Sequence, residues 1–159
     1  MKPSRMKEVL IDVLKTRWPV FIWGPPGVGK SSLVKEIASN KNIKLLDVRA
    51  SLLDPTDLRG IPYVTSETAK WAPPAFLPYD KKSEGILFFD ELNAAPPLVQ
   101  ASLYQLTLDR RLGEYELPEK WRILAAGNRA EDASLVFRMP AALSNRFIHL
   151  DFEHNLEDW

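Results

Sequence analysis

The sequence predicts an α/β domain, a parallel sheet with helices on both faces, and three stretches carry that expectation. Pro19-Val20-Phe21-Ile22-Trp23 is a short apolar run that passes into Gly24-Pro25-Pro26-Gly27-Val28-Gly29-Lys30-Ser31 and then into a helical pattern. Gly85-Ile86-Leu87-Phe88-Phe89 is apolar throughout and ends in Asp90-Glu91. Trp121-Arg122-Ile123-Leu124-Ala125-Ala126 ends in Gly127-Asn128. Runs that are apolar without alternation suit strands covered on both faces. Each of the three also delivers polar or glycine-rich chemistry at its C-terminal end, where open α/β sheets bind ligands.

With 159 residues and 45% hydrophobic content, the chain is read as one domain, 1–159, with a single core. Lys plus Arg (21) equals Asp plus Glu (21), so no global field draws the protein onto nucleic acid or an anionic membrane. The absence of cysteine rules out disulfides and thiolate metal sites and suits a reducing, cytoplasmic setting. No run approaches membrane-spanning length, and the basic N-terminus lacks the apolar stretch of a secretion signal.

Taken in order, Ser4 is placed as the N-cap of a helix in which Met6, Val9, Leu10, Val13 and Leu14 follow helical spacing up to Trp18-Pro19. After the first strand and the glycine-rich loop, Ser31 to Ser39 is a helix with Leu33, Val34, Ile37 and Ala38 on one face. Asn40 to Asn42 turns into a second strand, Ile43 to Val48. Regularity then fails from Ser51 to Glu84, apart from a possible hairpin pairing Ile61–Val64 with Ala69–Ala72. Trp71, Phe76 and Tyr79 argue for an ordered loop, pinned to its own domain or offered to a partner. Pro96 and Pro97 open a helix carrying Val99, Leu103 and Leu106. Arg110 to Leu117 reads as strand–turn–strand about Gly113, and Pro140 to Asn145 as a short helix before the strand Phe147 to Phe152.

The glycine-rich stretch fits G-x-x-x-x-G-K-[ST], a phosphate-binding loop. Along Gly24, Pro25, Pro26, Gly27, Val28 and Gly29 the three glycines let the backbone turn tightly and bring several N–H groups to bear on phosphate oxygens, and the helix N-terminus at Lys30, Ser31 and Ser32 adds a partial positive charge there. Lys30 would reach the β- and γ-phosphates, and Ser31 would ligate Mg²⁺. Asp90 would hold the same ion, and Glu91 would orient or deprotonate the attacking water. Taken alone, an Asp-Glu pair at a strand end is a solvated loop start; it is the phosphate loop upstream that favours the catalytic reading. The Asn128 amide could bond that water or the γ-phosphate, although an Asn after a strand is more often a turn residue. Arg110 and Arg111 read as a solvated rim or as contacts to nucleotide, neighbour or substrate, and Arg146 as a surface arginine unless context says otherwise.

In sum, GPPGVGKSSL, DPTDLRGIP…WAPPAFLP, ILFFDELNAAPP, LDRRLGEYELP, and AAGN followed by ALSNRF resemble the AAA+ ATPase family, and within it the MoxR-like and dynein-related branch, over residues 5 to 152. The resemblance implies a P-loop NTPase core, a three-layer α/β/α arrangement with five parallel strands in the order 5-1-4-3-2. It makes Gly24 to Ser31 the Walker A loop, Asp90 and Glu91 Walker B, Asn128 sensor 1 and Arg146 an arginine finger that reaches a neighbouring subunit's nucleotide. Asp54 to Pro78 corresponds to a helix-2 insert and Arg110 to Pro118 to the hairpin before sensor 1, while Asn93 is assigned to local positioning. ATP and Mg²⁺ are the implied cofactors, with a homo-oligomeric, hexameric ring and a protein substrate or adaptor as partners. Family members continue into a helical lid; the chain ends at Trp159, so a core domain without that lid is expected, either a core cut from a longer protein or an unusually short member. Three functions are consistent with the residues. They are a ring ATPase remodelling a protein, a nucleotide-dependent (ATP or GTP) nucleic-acid motor or restriction component gripping a strand through Arg110-Arg111, and a non-hydrolysing nucleotide switch. The intact Asp90-Glu91 pair favours hydrolysis over the switch.

Overall fold

Strands form where apolar runs can be buried from two sides, and the order of elements follows from that. The computed structural model describes residues 1–131 and 135–153. Its elements are α1 (Pro3–Val13), β1 (Val20–Trp23), α2 (Lys30–Asn40), β2 (Lys44–Arg49), α3 (Pro55–Arg59), β3 (Ile61–Val64), β4 (Ala69–Ala72), β5 (Gly85–Asp90), α4 (Pro97–Asp109), β6 (Arg111–Leu112), β7 (Tyr115–Glu116), β8 (Trp121–Gly127), α5 (Ala141–Ser144) and β9 (Ile148–Asp151). Single 3₁₀ turns at Ala50–Leu52 and Leu92–Ala94 follow β2 and β5.

Five strands make one sheet in the order β2-β5-β8-β1-β9, every pairing parallel. Numbering only these strands along the chain gives 5-1-4-3-2, the order the resemblance implies. The central strands alternate their apolar side chains between two layers, as a period of two requires. Val20, Ile22, Ile86, Phe88, Leu124 and Ala126 meet Met6 and Leu10 of α1 and Leu33, Val34 and Ile37 of α2. Phe21, Leu87, Phe89, Ile123 and Ala125 meet Val99, Leu103 and Leu106 of α4 and Leu143 of α5. The sheet is therefore the middle of three layers, and its C-terminal edge is fixed from both sides.

Local readings are sharpened at several points. Pro3 occupies the first helical position of α1 and Lys2 is the N-cap, so Ser4 lies inside the first turn; proline's preset φ starts the helix there. The stretch after Ser51 contains a five-residue helix, α3, closed by a capping box in which Asp54 accepts from Thr56 N–H and Asp57 accepts from Asp54 N–H. The suggested hairpin forms with the expected bounds, Ile61 facing Ala72 and Val64 facing Ala69. Phe76 packs on the α4 core and the Tyr79 hydroxyl donates to the carbonyls of Pro73 and Pro74, which pins this loop to its own domain. Trp71 stays 45% exposed. Arg110 ends α4 in a left-handed turn (φ 56°), and its Nη2 donates to the carbonyls of Pro118 and Trp121 at 2.8 Å each, closing the base of the β6–β7 hairpin. Arg111 pairs across that hairpin with Glu116 at 3.6 Å. No helix among the described residues is long and apolar enough to cross a membrane.

Candidate active site

β1, β5 and β8 lie next to one another or one strand apart, so their C-terminal ends bring the glycine-rich loop, the Asp-Glu pair and Asn128 to one place. A cavity of about 290 Å³ opens there, lined by Gly27, Lys30, Ser31, Asp90, Glu91 and Asn128, with Pro26, Gly29, Ser32 and Arg49 completing the wall. A larger and more apolar cavity of about 580 Å³ lies between α3, α4 and the β6–β7 hairpin, but it contains none of these residues. Chemistry, not size, identifies the candidate site.

The loop is shaped by its glycines. Gly27 (φ 76°) and Gly29 (φ 97°) hold left-handed conformations, and Gly29 is the N-cap of α2. The first intrahelical bond runs from Leu33 N–H to Gly29 O (2.9 Å), so the amides of Lys30, Ser31 and Ser32 belong to the unpaired first turn. These amides and the dipole make the loop an anion cradle. Val28 faces the other way and is buried in the α1–α2 core. Gly24 lies against the backbone of Phe152, where a Cβ would come within 2.9 Å of a carbonyl oxygen. Gly24, Pro25 and Val28 thus support the cradle, whereas Pro26, Gly27, Gly29, Lys30, Ser31 and Ser32 line it.

Lys30 is 7% exposed, and its ammonium donates to Gly24 O (2.7 Å), Pro25 O (2.9 Å) and Asn128 Oδ1 (3.0 Å). Ser31 Oγ donates to Asp90 Oδ2 at 2.5 Å. Asp90 Oδ1 accepts from the Glu91 N–H at 2.9 Å. Hydroxyl and carboxylate oxygens side by side are hard donors of the kind Mg²⁺ takes while keeping several waters, so these residues fit that ion. Among the described residues there is no cluster of three or more His, Cys, Asp or Glu side chains that would form an all-protein metal cage.

Glu91 sits at φ 54°, an uncommon conformation for a residue with a side chain, of the sort that concentrates at functional sites. The turn swings its carboxylate toward β2, where Glu91 Oε2 accepts from Ser51 Oγ and lies 4.0 Å from Arg49 Nε. Arg49 and Ser51 were not singled out from the sequence. The available signal was position alone: Arg49 is the last residue of β2 and Ser51 lies two residues beyond it.

Asn93 has a defined task. It is 3% exposed, its Nδ2 donates to Asn128 O (2.7 Å) and its Oδ1 accepts from Asn128 N–H (3.3 Å). Gly127 makes room for this clamp, since a Cβ there would lie 2.3 Å from Asn93 Oδ1 and 2.7 Å from Phe21 Cζ. The clamp holds the Asn128 backbone while its side chain meets Lys30. Arg146 is not brought to this pocket. It is exposed at the start of β9, at the far end of the sheet, beside Arg17, Trp18 and Pro19.

Comparison with known proteins agrees with this geometry. The family described as "AAA domain (dynein-related subfamily)" matches residues 19–147. The MoxR protein of Methylorubrum extorquens is 28% identical over 150 residues, covering 91% of this chain and 43% of its own length. The chain thus spans less than half of that relative. A putative ATPase structure from Cytophaga hutchinsonii superposes with a TM-score of 0.61 at 23% identity, over 98% of this chain and 47% of that one. NtrX from Brucella abortus in complex with ATP superposes with a TM-score of 0.61 at 19% identity, over 93% of this chain and 34% of that one.

Proposed function

The chain belongs to the dynein-related AAA domain family, and from that premise we propose that it binds ATP with Mg²⁺ and hydrolyses the γ-phosphate as the core of a ring ATPase that remodels a protein partner. AAA+ domains are nucleotide-binding and generally ATPases, and the family match together with the MoxR relatives supports that reading for this chain. The observation that carries the proposal is the contact between Ser31 Oγ and Asp90 Oδ2 at 2.5 Å, which sets the serine of the phosphate loop against the strand-end carboxylate beside Lys30.

In this reading Mg²⁺, when bound, neutralises charge on the β- and γ-oxygens. Ser31 and Asp90 hold its coordination shell. Lys30 exchanges the loop carbonyls of Gly24 and Pro25 for phosphate oxygens. Glu91 leaves Ser51 to orient water, and Asn128, its backbone fixed by Asn93, positions that water or the γ-phosphate. Arg146 lies too far from its own pocket to take part there, which supports a role across a subunit interface.

The experiment is ATP turnover against protein concentration, with and without Mg²⁺, and sedimentation on the same samples. Specific activity that rises with oligomer formation and vanishes on chelation is expected. Turnover that is flat with concentration in a persistent monomer would sink the shared-site reading, and Mg²⁺-independent turnover would sink the metal assignment.

A further inference from the structure

The wall of the cavity at the glycine-rich loop holds a guanidinium that the proposed chemistry does not use. Arg49 closes β2, and in the sheet it lies beside Asp90 of β5. Side chains along β2 alternate between the two layers. Leu46 and Val48 pack with the α4 core, whereas Leu45 packs with α1 and α2. Arg49 shares the parity of Leu45 and of Asp47, whose carboxylate pairs with Lys35 of α2 at 3.2 Å. It therefore rises on the α2 side of the sheet and lines the cavity with Ser31, Ser32 and Glu91. The strand order β2-β5-β8 sets Arg49 and Asn128 on opposite sides of Asp90.

This guanidinium is not committed to the fold. It makes no hydrogen bond among the described residues, and its one ion pair with them is to Glu91, 4.0 Å from Nε to Oε2. The two side chains are 59% and 40% exposed, so the pair is weak and easily exchanged. Glu91 takes its hydrogen bond from Ser51 instead. Lys30 is differently placed, with its ammonium on Gly24 O, Pro25 O and Asn128 Oδ1. Among the described residues, Lys30 and Arg49 are the two cationic side chains that line this cavity. One stands against the loop and Asn128, the other against Glu91.

On the reading of this cavity as a nucleotide site, we propose that Arg49 binds the terminal phosphate of a nucleoside triphosphate held by its own subunit. It thereby makes the cavity prefer triphosphate over diphosphate. Glu91 has to face the γ-phosphate to orient water against it, and a cation 4.0 Å from that carboxylate stands at the same end of the cavity. A γ-phosphoryl group presents three oxygens there. The planar guanidinium fork matches two acceptor oxygens at once, a geometry an ammonium cannot reproduce. A multiply charged phosphate displaces a partly exposed carboxylate that Arg49 holds only at 4.0 Å. A diphosphate ends one phosphoryl group short and leaves Arg49 with Glu91. Arg49 needs no neighbouring subunit for this, which separates its task from that of Arg146.

The test is calorimetric titration with ATP and, separately, with ADP, both with Mg²⁺, on Glu91→Gln chains. That background does not consume ATP, and it also lacks the carboxylate that competes for Arg49. Adding Arg49→Ala should weaken ATP binding about tenfold or more, as for a lost hydrogen bond to a charged group, and leave ADP binding within about twofold. Arg49→Lys restores the charge without the fork and should recover only part of the loss. Retained ADP binding shows at the same time that the variant is folded. Equal weakening of both nucleotides, or ATP affinity indifferent to Arg49, would return Arg49 to a solvated rim and leave the nucleotide site standing. Lys30→Ala in the same background separates the two readings, since it should weaken ATP and ADP alike. Binding indifferent to Lys30, or no binding by the Glu91→Gln parent and wild type, would remove the nucleotide site and the role of Arg49 together.

Discussion

At the residue scale, the proposed function divides the work of the site between Lys30 and Glu91, and their contacts predict different phenotypes. Lys30 is nearly buried amid oxygen acceptors and is, among the described residues, the one ammonium that lines the cavity at the glycine-rich loop. Replacing it with alanine removes a charge-assisted contact to phosphate, and nucleotide affinity should fall by about a hundredfold. Glu91→Gln keeps the shape and the serine contact but loses the base, so binding should persist within a few-fold while turnover collapses. Equal losses of binding in both variants would mean that Glu91 holds nucleotide and does not act on water. Asn93 gives a subtler case. Asn93→Ala breaks both bonds to the Asn128 backbone and leaves a half-buried N–H without that partner, a loss of about 1 kcal/mol in stability. Turnover in Asn93→Ala should fall at least tenfold with little change in nucleotide affinity. Denaturant unfolding and kinetics on one preparation test this, and unchanged turnover would reduce Asn93 to a packing residue. The sequence could mark Asn93 only as a local positioner, because its partner is the backbone of Asn128, just past the end of β8 and far along the chain. Arg49 and Ser51 were invisible for a similar reason. Their significance depends on the left-handed turn at Glu91, a conformation that an Asp-Glu pair does not announce.

At the element scale, legibility followed length and burial. The four-residue β1 and the longer β5 and β8 were read from apolar runs, broken in β8 only by Arg122 near its start, as strands covered on both faces require. α3 was missed because five residues give too little periodicity to detect. What holds α3 is the box at its start, and the Asp54-Pro55-Thr56-Asp57 string was the available signal. The Asp54 carboxyl is held below its usual value near 3.8, first by the Thr56 N–H and then by the Thr56 hydroxyl. A depressed carboxyl contributes stability that is fully present above the ordinary Asp range and is lost as pH falls through the lowered value. Acidification from pH 6 to pH 3 should therefore loosen α3 and the adjoining β3–β4 hairpin before it disturbs the sheet. Asp54→Ala should reproduce that pattern at pH 6. Hydrogen exchange corrected for intrinsic rates is the measurement. Uniform protection across α3 and the sheet at pH 3 would show that the cap does not govern this element.

At the scale of the whole molecule, the sheet order was legible through family resemblance and not through periodicity, because strand pairing is a long-range property that local pattern does not encode. The order has a consequence for Arg146. β9 lies beside β1, and both run toward the phosphate loop, so a residue just before β9 is carried to the far end of the sheet. A catalytic arginine in that position can serve only a neighbour's pocket, as closed rings with head-to-tail interfaces allow. Mixing two disabled chains turns this into a test. Arg146→Ala chains keep an intact pocket but offer no finger; Glu91→Gln chains offer the finger but have a dead pocket. Each alone should lose most of its turnover, since a finger of this type is worth roughly 10³–10⁵ in kcat. In an equal random mixture about a quarter of pockets pair an intact Glu91 with an intact neighbouring Arg146. Activity should then return to about a quarter of the wild-type level under assembling conditions, and stay absent on dilution to monomers. A mixture no more active than its parts would return Arg146 to the surface, and Arg146→Ala chains with full activity on their own would do so directly.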